Sequence, residues 1–227
     1  MRQPAPGSAA LDTQYGADAG AFDSYSNEAD MADISTRKTL SGHPVTLYNM
    51  GQGNYHIFDG ALVHPLSAEG ATTAAYLGVT LRRRVREMWV DVSWADDGHA
   101  GDELAVMVIS ATRFTQHPYP NAGSHILFGR SSWSYQTFIS GNPVNKASGT
   151  YGKIPFGVRH RFGVRVEGST ATVYLPDGST HTLTDAQIAD WEGPHATVES
   201  FAATYANSIH IHAWGASSAL SAARPKR

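Results

Sequence analysis

From Phe156 to Glu167 the chain alternates with a period of two. Phe156, Val158, Phe162, Val164 and Val166 fall on one face, and Arg159, Arg161, Arg165 and Glu167 on the other. That period is the mark of a half-buried strand. Gly168-Ser169 then reverses the chain, and Thr170 to Leu175 runs back as Thr-Ala-Thr-Val-Tyr-Leu. Asp177-Gly178 turns it again into Ser179 to Leu183. The stretch predicts a β-meander with a defined inner and outer face.

The rest of the chain carries the same grammar. Met88, Val90, Val92 and Trp94 share one face of the segment Arg82 to Trp94, and Glu87, Trp89, Asp91 and Ser93 share the other. Leu104 to Ala111 is apolar at almost every position, which predicts a central strand covered on both faces. Short strands are expected at Val45–Tyr48, Tyr55–Phe58, Ala61–Leu66 and Ala75–Leu81, and as a hairpin pair at His125–Phe128 and Ser134–Ile139. Thr197–Ala203 and Ser208–Trp214 close the series. Gly, Asn and Asp punctuate them, which argues for an all-β domain. Residues 141–153 read as a long, polar, glycine-rich loop. Thr184 to Trp191 is the single helical piece, with Thr184 and Gln187 spaced as a capping box and Gly193-Pro194 as its stop.

Residues 1–38 differ. Between Met1 and Thr36 stand six acidic residues and one basic residue, with Leu11 and Ile34 almost the only large aliphatics. Such a segment buries too little to offset its ordering entropy. It is expected to be an extended or disordered arm, or one ordered only against a partner chain through Tyr15, Phe22 and Tyr25. Residues 39–215 form the sandwich domain, and 216–227 a flexible basic tail.

With 227 residues the chain can bury a sufficient core without cross-links, and it has no cysteine. Disulfides, thiolate catalysis and cysteine-ligated zinc are excluded. A net charge of −3 argues against a bulk nucleic-acid binder. No apolar run approaches a membrane span, and Met1 to Ala10 holds no signal-peptide core, so Sec-type export is not expected.

Catalytic motifs are absent: there is no G-x-S-x-G, P-loop, H-E-x-x-H or dinucleotide fingerprint. Glu87 and Asp91 flank Trp89, but residues four apart on a strand lie roughly 13 Å apart. A two-carboxylate glycoside hydrolase needs them within about 5 to 9.5 Å. The loop Asp96 to Glu103 clusters carboxylates that could hold calcium, yet its spacing is not that of an EF-hand. His210 and His212 share a strand face about 7 Å apart, a spacing that could hold zinc with a third ligand from elsewhere. An end-strand pair, however, reads first as solvated. No cofactor or metal is assigned. Binding is the better reading. Trp89, Trp133 and Tyr135, with Tyr119 and Tyr151, are taken as outward or loop aromatics on which sugar rings stack. Asp91, Arg159, Arg161 and Arg165 supply polar partners, unless the arginine face is a subunit contact.

The run Arg159-His-Arg-Phe-Gly-Val-Arg-Val-Glu-Gly-Ser-Thr-Ala-Thr-Val-Tyr-Leu-Pro-Asp-Gly-Ser resembles the meander of the concanavalin A-like (laminin G-like) superfamily. Ile209-His-Ile-His-Ala-Trp resembles that family's closing strand. The resemblance implies a jelly-roll β-sandwich over about 140 residues, here with an extended N-terminal arm and one short helix. The glucanase branch's E-x-D-x-x-E strand is missing, as are recognisable legume-lectin metal ligands. The chain also resembles minor tail or baseplate proteins of actinobacterial phages. That likeness implies a non-enzymatic, homo-oligomeric virion component, made in the host cytoplasm and acting at the cell exterior. Its partners would be other tail proteins or its own copies through the arm, and a host cell-surface glycan. A polysaccharide-active enzyme, or the accessory domain of one, is the alternative.

Overall fold

The computed structural model describes residues 20–31, 33–50, 55–64, 73–96, 104–111, 123–139, 142–190, 193–202 and 209–219. They form two antiparallel sheets packed face to face. The strands are β1 (Gly20–Ser24), β2 (Thr46–Met50), β3 (His56–Phe58), β4 (Ala61–Val63), β5 (Thr73–Thr80), β6 (Glu87–Trp94), β7 (Leu104–Ser110) and β8 (Gly123–Phe128). They continue as β9 (Ser132–Ile139), β10 (Asn142–Thr150), β11 (His160–Glu167), β12 (Thr170–Tyr174), β13 (Thr180–Thr184), β14 (His195–Ala202) and β15 (Ile209–Ser217). One helical turn, α1 (Ala186–Asp190), lies between β13 and β14.

The eight-stranded sheet runs β13-β12-β11-β6-β15-β4-β3, with β1 also paired to β15. The seven-stranded sheet runs β10-β9-β8-β7-β14-β5-β2. Alternation decides which side chains meet between them. Met88, Val90, Val92 and Trp94 of β6 and Phe162, Val164 and Val166 of β11 face Met107, Ile126, Phe128, Tyr135 and Val198 of the other sheet in one continuous core. No helix among the described residues is long and apolar enough to cross a membrane.

The meander is present as β11, β12 and β13, with Gly168 and Gly178 at positive φ in its turns. Its first strand opens later than the alternation suggests. Phe156 and Gly157 lie in a turn, Phe156 is held beneath the Arg130 guanidinium at 3.5 Å, and Val158 is 42% exposed. The regular two-residue period therefore starts only at His160, where pairing to Val92 begins.

Three expectations are corrected. The polar stretch at 141–153 is mostly strand: β10 pairs with β9 along its length, with a bulge between Asn145 and Ala147. As an edge strand it shows no apolar alternation, and Lys146 is turned aside to Asp185 at 2.8 Å. The helix cap is Asp185, not Thr184, for Asp185 accepts the Gln187 N–H at 2.9 Å.

The third correction concerns the arm. From residue 20 onward it is part of the sandwich, because β1 pairs with β15 from Gly20↔Ser217 to Ser24↔Ala213. Tyr25 is fully buried and accepts the Trp214 indole N–H at 3.1 Å. Arg37 joins Asp23 at 2.7 Å and Glu28 at 2.8 Å. Burial raises the pKa of Asp23, and the Arg37 guanidinium opposes that rise. Phe22 and Tyr25 are thus anchors against this same chain, while Tyr15 lies outside the described residues.

Candidate functional site

The polar side of β6 looks away from the core, and a compact cluster is built on it. Trp89 has a glycine in register on both sides, Gly163 of β11 and Gly215 of β15. The indole lies over Gly215, where an added Cβ would come within 2.7 Å of its Nε1. Phe22 of β1 packs beside it, with ring centroids 5.8 Å apart. A large ring can rest flat on the strand surface where its neighbour has no side chain, and Gly215 provides that room, whereas a Cβ at Gly163 would meet Tyr174 and the Met88 carbonyl instead.

Asp91 stands two residues on, opposite Arg161. Arg161 donates Nε to Oδ1 at 2.6 Å and Nη2 to Oδ2 at 2.8 Å, and Arg159 adds Nη2 to Oδ2 at 2.8 Å. The Arg161 guanidinium also lies 4.1 Å from the Trp89 ring centroid. The planar fork thus meets a carboxylate along one edge and an aromatic face along its plane, a combination lysine cannot make. The Asp91 side chain is 8% exposed, whereas those of Arg159 and Arg161 are 40% and 34% exposed. Covered by two guanidiniums, the carboxylate is an internal anchor, and the guanidiniums are what the surface presents.

Arg165 is occupied differently. It donates Nη2 to Glu167 at 2.6 Å and lies 3.9 Å from Glu87. It therefore belongs to a second, carboxylate-rich group farther along β11.

At the other end of the cluster Ser93 Oγ lies 2.8 Å from Nε2 of His212. Burial, aided by the charges of Arg159 and His210, pulls the His212 pKa down to about 4. The ring is thus neutral at pH 7. The His210 and His212 rings are 6.4 Å apart, and Nε2 of His212 is taken by Ser93 rather than turned towards a shared ion.

Of the residues selected from sequence, Trp89, Asp91, Arg159 and Arg161 come together, and Arg165 is the neighbour just described. Trp133 and Tyr135 do not join them. They are 5% and 0% exposed and face the core between the sheets, where the Tyr135 hydroxyl donates to Ser124 at 2.6 Å. The alternation Ser132, Ser134, Gln136 marks the opposite side of β9 as its polar face. Tyr151 is likewise in the core, its hydroxyl bonded to the Gly129 carbonyl. Tyr119 and residues 97–103 of the acidic loop lie outside the described residues. Sequence reasoning gave Phe22 to the arm rather than to this site, and it missed Gly215 and the Ser93–His212 pair. Gly215, directly after the aromatic Trp214 in a strand, is the one of these that carried a readable signal.

The outward side of the seven-stranded sheet is of another kind. Its middle row runs Leu127, Val106, Glu199, Tyr76 and Tyr48 in register across five strands. Glu199 is fully buried there, and Tyr76 and His125 are 1% and 2% exposed.

Comparison with known proteins rests on shape. No family model matches the chain, and no curated protein sequence matches it. Solved structures do. The carbohydrate recognition domain of Emp47p superposes with a TM-score of 0.57 at 13% identity, covering 87% of this chain and 98% of that one. A Bacillus licheniformis β-glucanase gives 0.57 at 12% identity, covering 88% and 99%. A Bauhinia forficata lectin solved in complex with GalNAc gives 0.54 at 15%, covering 87% and 97%. The fold is a concanavalin A-like jelly roll. At these identities the likeness is one of fold, and a jelly roll hosts both binding and hydrolysis.

Proposed function

We propose that this jelly roll is a non-enzymatic glycan-binding module, and that it recognises its ligand through the outward face of the eight-stranded sheet. The observation that carries the reading is the Asp91-locked pair Arg159 and Arg161 beside Trp89. Sugar hydroxyls need hydrogen-bond donors fixed in advance, since ordering a free arginine on binding costs about 0.5–1.5 kcal/mol of affinity. Here the carboxylate and the indole have already ordered it. Several structural neighbours are carbohydrate-binding proteins, which favours the same class.

Two features favour binding over hydrolysis. Asp91 spends both oxygens on guanidiniums, so it does not serve as an acid or nucleophile for a bound sugar. In the middle row of the other sheet Glu199 is the one carboxylate among the described residues, where the two-carboxylate mechanism requires a facing partner.

We further propose that the module works in a virion tail structure, at the cell exterior, in association with its own copies or with other tail proteins. What supports this is the sequence alone: a cysteine-free, Ala- and Gly-rich composition like that of phage tail proteins. Incubation with insoluble bacterial cell-wall polysaccharide, followed for retained protein and for released reducing ends, tests the core claim. Retention without turnover is the expected result, and release of reducing ends would overturn it. Mass in solution tests the assembly claim, for which a clean monomer is the contrary result.

A further inference from the structure

The three outward arginines of β11 and its approach are unlike one another in charge balance, and that difference points to the ligand. Arg165 has two carboxylates within 4 Å, Glu167 and Glu87, so its positive charge is answered. Arg159 and Arg161 share one carboxylate, Asp91, so their group carries a surplus positive charge. No second acidic residue pairs with them among the described residues. The adjacent His212 is held neutral and does not alter the sum.

The unused donors are specific atoms. Arg159 gives Nη2 to Asp91, which leaves Nε and Nη1 without a hydrogen bond among the described residues. Arg161 gives Nε and Nη2, which leaves Nη1. These donors belong to side chains 40% and 34% exposed, on one sheet face, two positions apart. Water can satisfy them, but an anion with two oxygens answers both the geometry and the surplus charge.

We infer that Arg159 and Arg161 form an anion subsite. The glycan bound on this face therefore bears an anionic substituent, a carboxylate as in a uronic acid or a sulfate ester. The anion takes the free guanidinium edges of Arg159 and Arg161, while Asp91 keeps both side chains in place from beneath. Trp89, already covered by Arg161 at 4.1 Å, supports the guanidinium rather than offering a bare stacking face. This inference rests on the glycan reading of the same face.

The test uses the full chain and matched pairs of oligosaccharides: a uronate oligomer with its carboxyl-reduced form, and a sulfated oligomer with its desulfated form. Affinity is measured by calorimetry at low and high salt. Tighter binding of one acidic member by about tenfold, weakened by salt, is the expected result. The pair in which it occurs tells carboxylate from sulfate. Arg159→Gln should remove the preference for the acidic member, and Arg159→Lys should keep part of it. Both variants leave the two Arg161–Asp91 bonds intact, and a thermal melt checks that they fold. Equal binding of acidic and neutral members would overturn the anion subsite and leave the glycan reading standing. Binding of no member of either pair would overturn both.

Discussion

The indole N–H of Trp214 donates to the Tyr25 hydroxyl at 3.1 Å, joining residues 189 positions apart inside the core. Through this bond, the β1–β15 pairing and the Asp23–Arg37 pair, a segment with almost no aliphatic side chains becomes part of the sandwich. Tyr25→Phe keeps the ring and leaves a buried indole N–H without a partner, at a cost of about 1–3 kcal/mol. A lowered Tm with unchanged far-ultraviolet circular dichroism is the expected outcome. Removal of residues 1–38 should cost far more, because it strips a strand from β15, whereas removal of residues 1–19 leaves β1 intact. Denaturant melts of the two truncations compare them directly.

The glycines beside Trp89 differ in what they tolerate. At Gly215 a Cβ would meet the indole at 2.7–2.9 Å, so Gly215→Ala must lift Trp89 from the sheet. At Gly163 the nearest atoms lie 3.5–3.7 Å away, ordinary packing. Gly215→Ala is therefore expected to change the Trp89 fluorescence and destabilise by about 1–3 kcal/mol. Gly163→Ala should do neither. Trp89→Phe as a background identifies the tryptophan responsible for the signal.

The Asp91 carboxylate anchors two arginines, so its replacement should affect more than charge. Asp91→Asn keeps the shape but loses the charge-assisted bonds, and both guanidiniums gain freedom. Glycan affinity is expected to fall by about tenfold or more, with a loss of stability of about 1–3 kcal/mol. Calorimetry and a thermal melt on the same sample separate the two effects.

His212 gives the fold a dependence on pH. The ring titrates near 6.5 in the unfolded chain and at about 4 in the fold. Between those values the unfolded state binds the additional proton, so this contribution is complete above about pH 6.5 and is lost as pH falls through about 4. The loss is on the order of 2–3 kcal/mol. His212→Asn should show a smaller fall in Tm than the wild type between about pH 7 and about pH 4.5. Equal slopes would remove His212 as the source.

Strands that bury one face were legible in the sequence, because a period of two follows directly from one-sided burial. That is why β6 and β11 were read with nearly their observed faces. β1 and β10 were not, for opposite reasons. β1 gains its stability from contacts distant in sequence, with Trp214 and Arg37, which no local pattern records. β10 is an edge strand with no fully buried residue, so no apolar period marks it. The site was legible in part. Trp89, Asp91 and the arginines stood on outward positions, but their meeting depends on the Arg161↔Asp91 register, which is fixed by strand pairing. Trp133 and Tyr135 went the other way, because two large aromatics on one face of a strand mark the core more strongly than they mark a ligand surface.

The central proposal is that the outward face of the eight-stranded sheet binds glycan through its locked arginines. The most direct measurement is retention of the full chain on bacterial cell-wall polysaccharide, with wild type compared against Trp89→Ala, Arg161→Gln and Trp133→Phe. Wild type and Trp133→Phe should be retained alike, while Trp89→Ala and Arg161→Gln lose about tenfold or more in affinity. Equal retention of all four, each shown to be folded, would contradict the account.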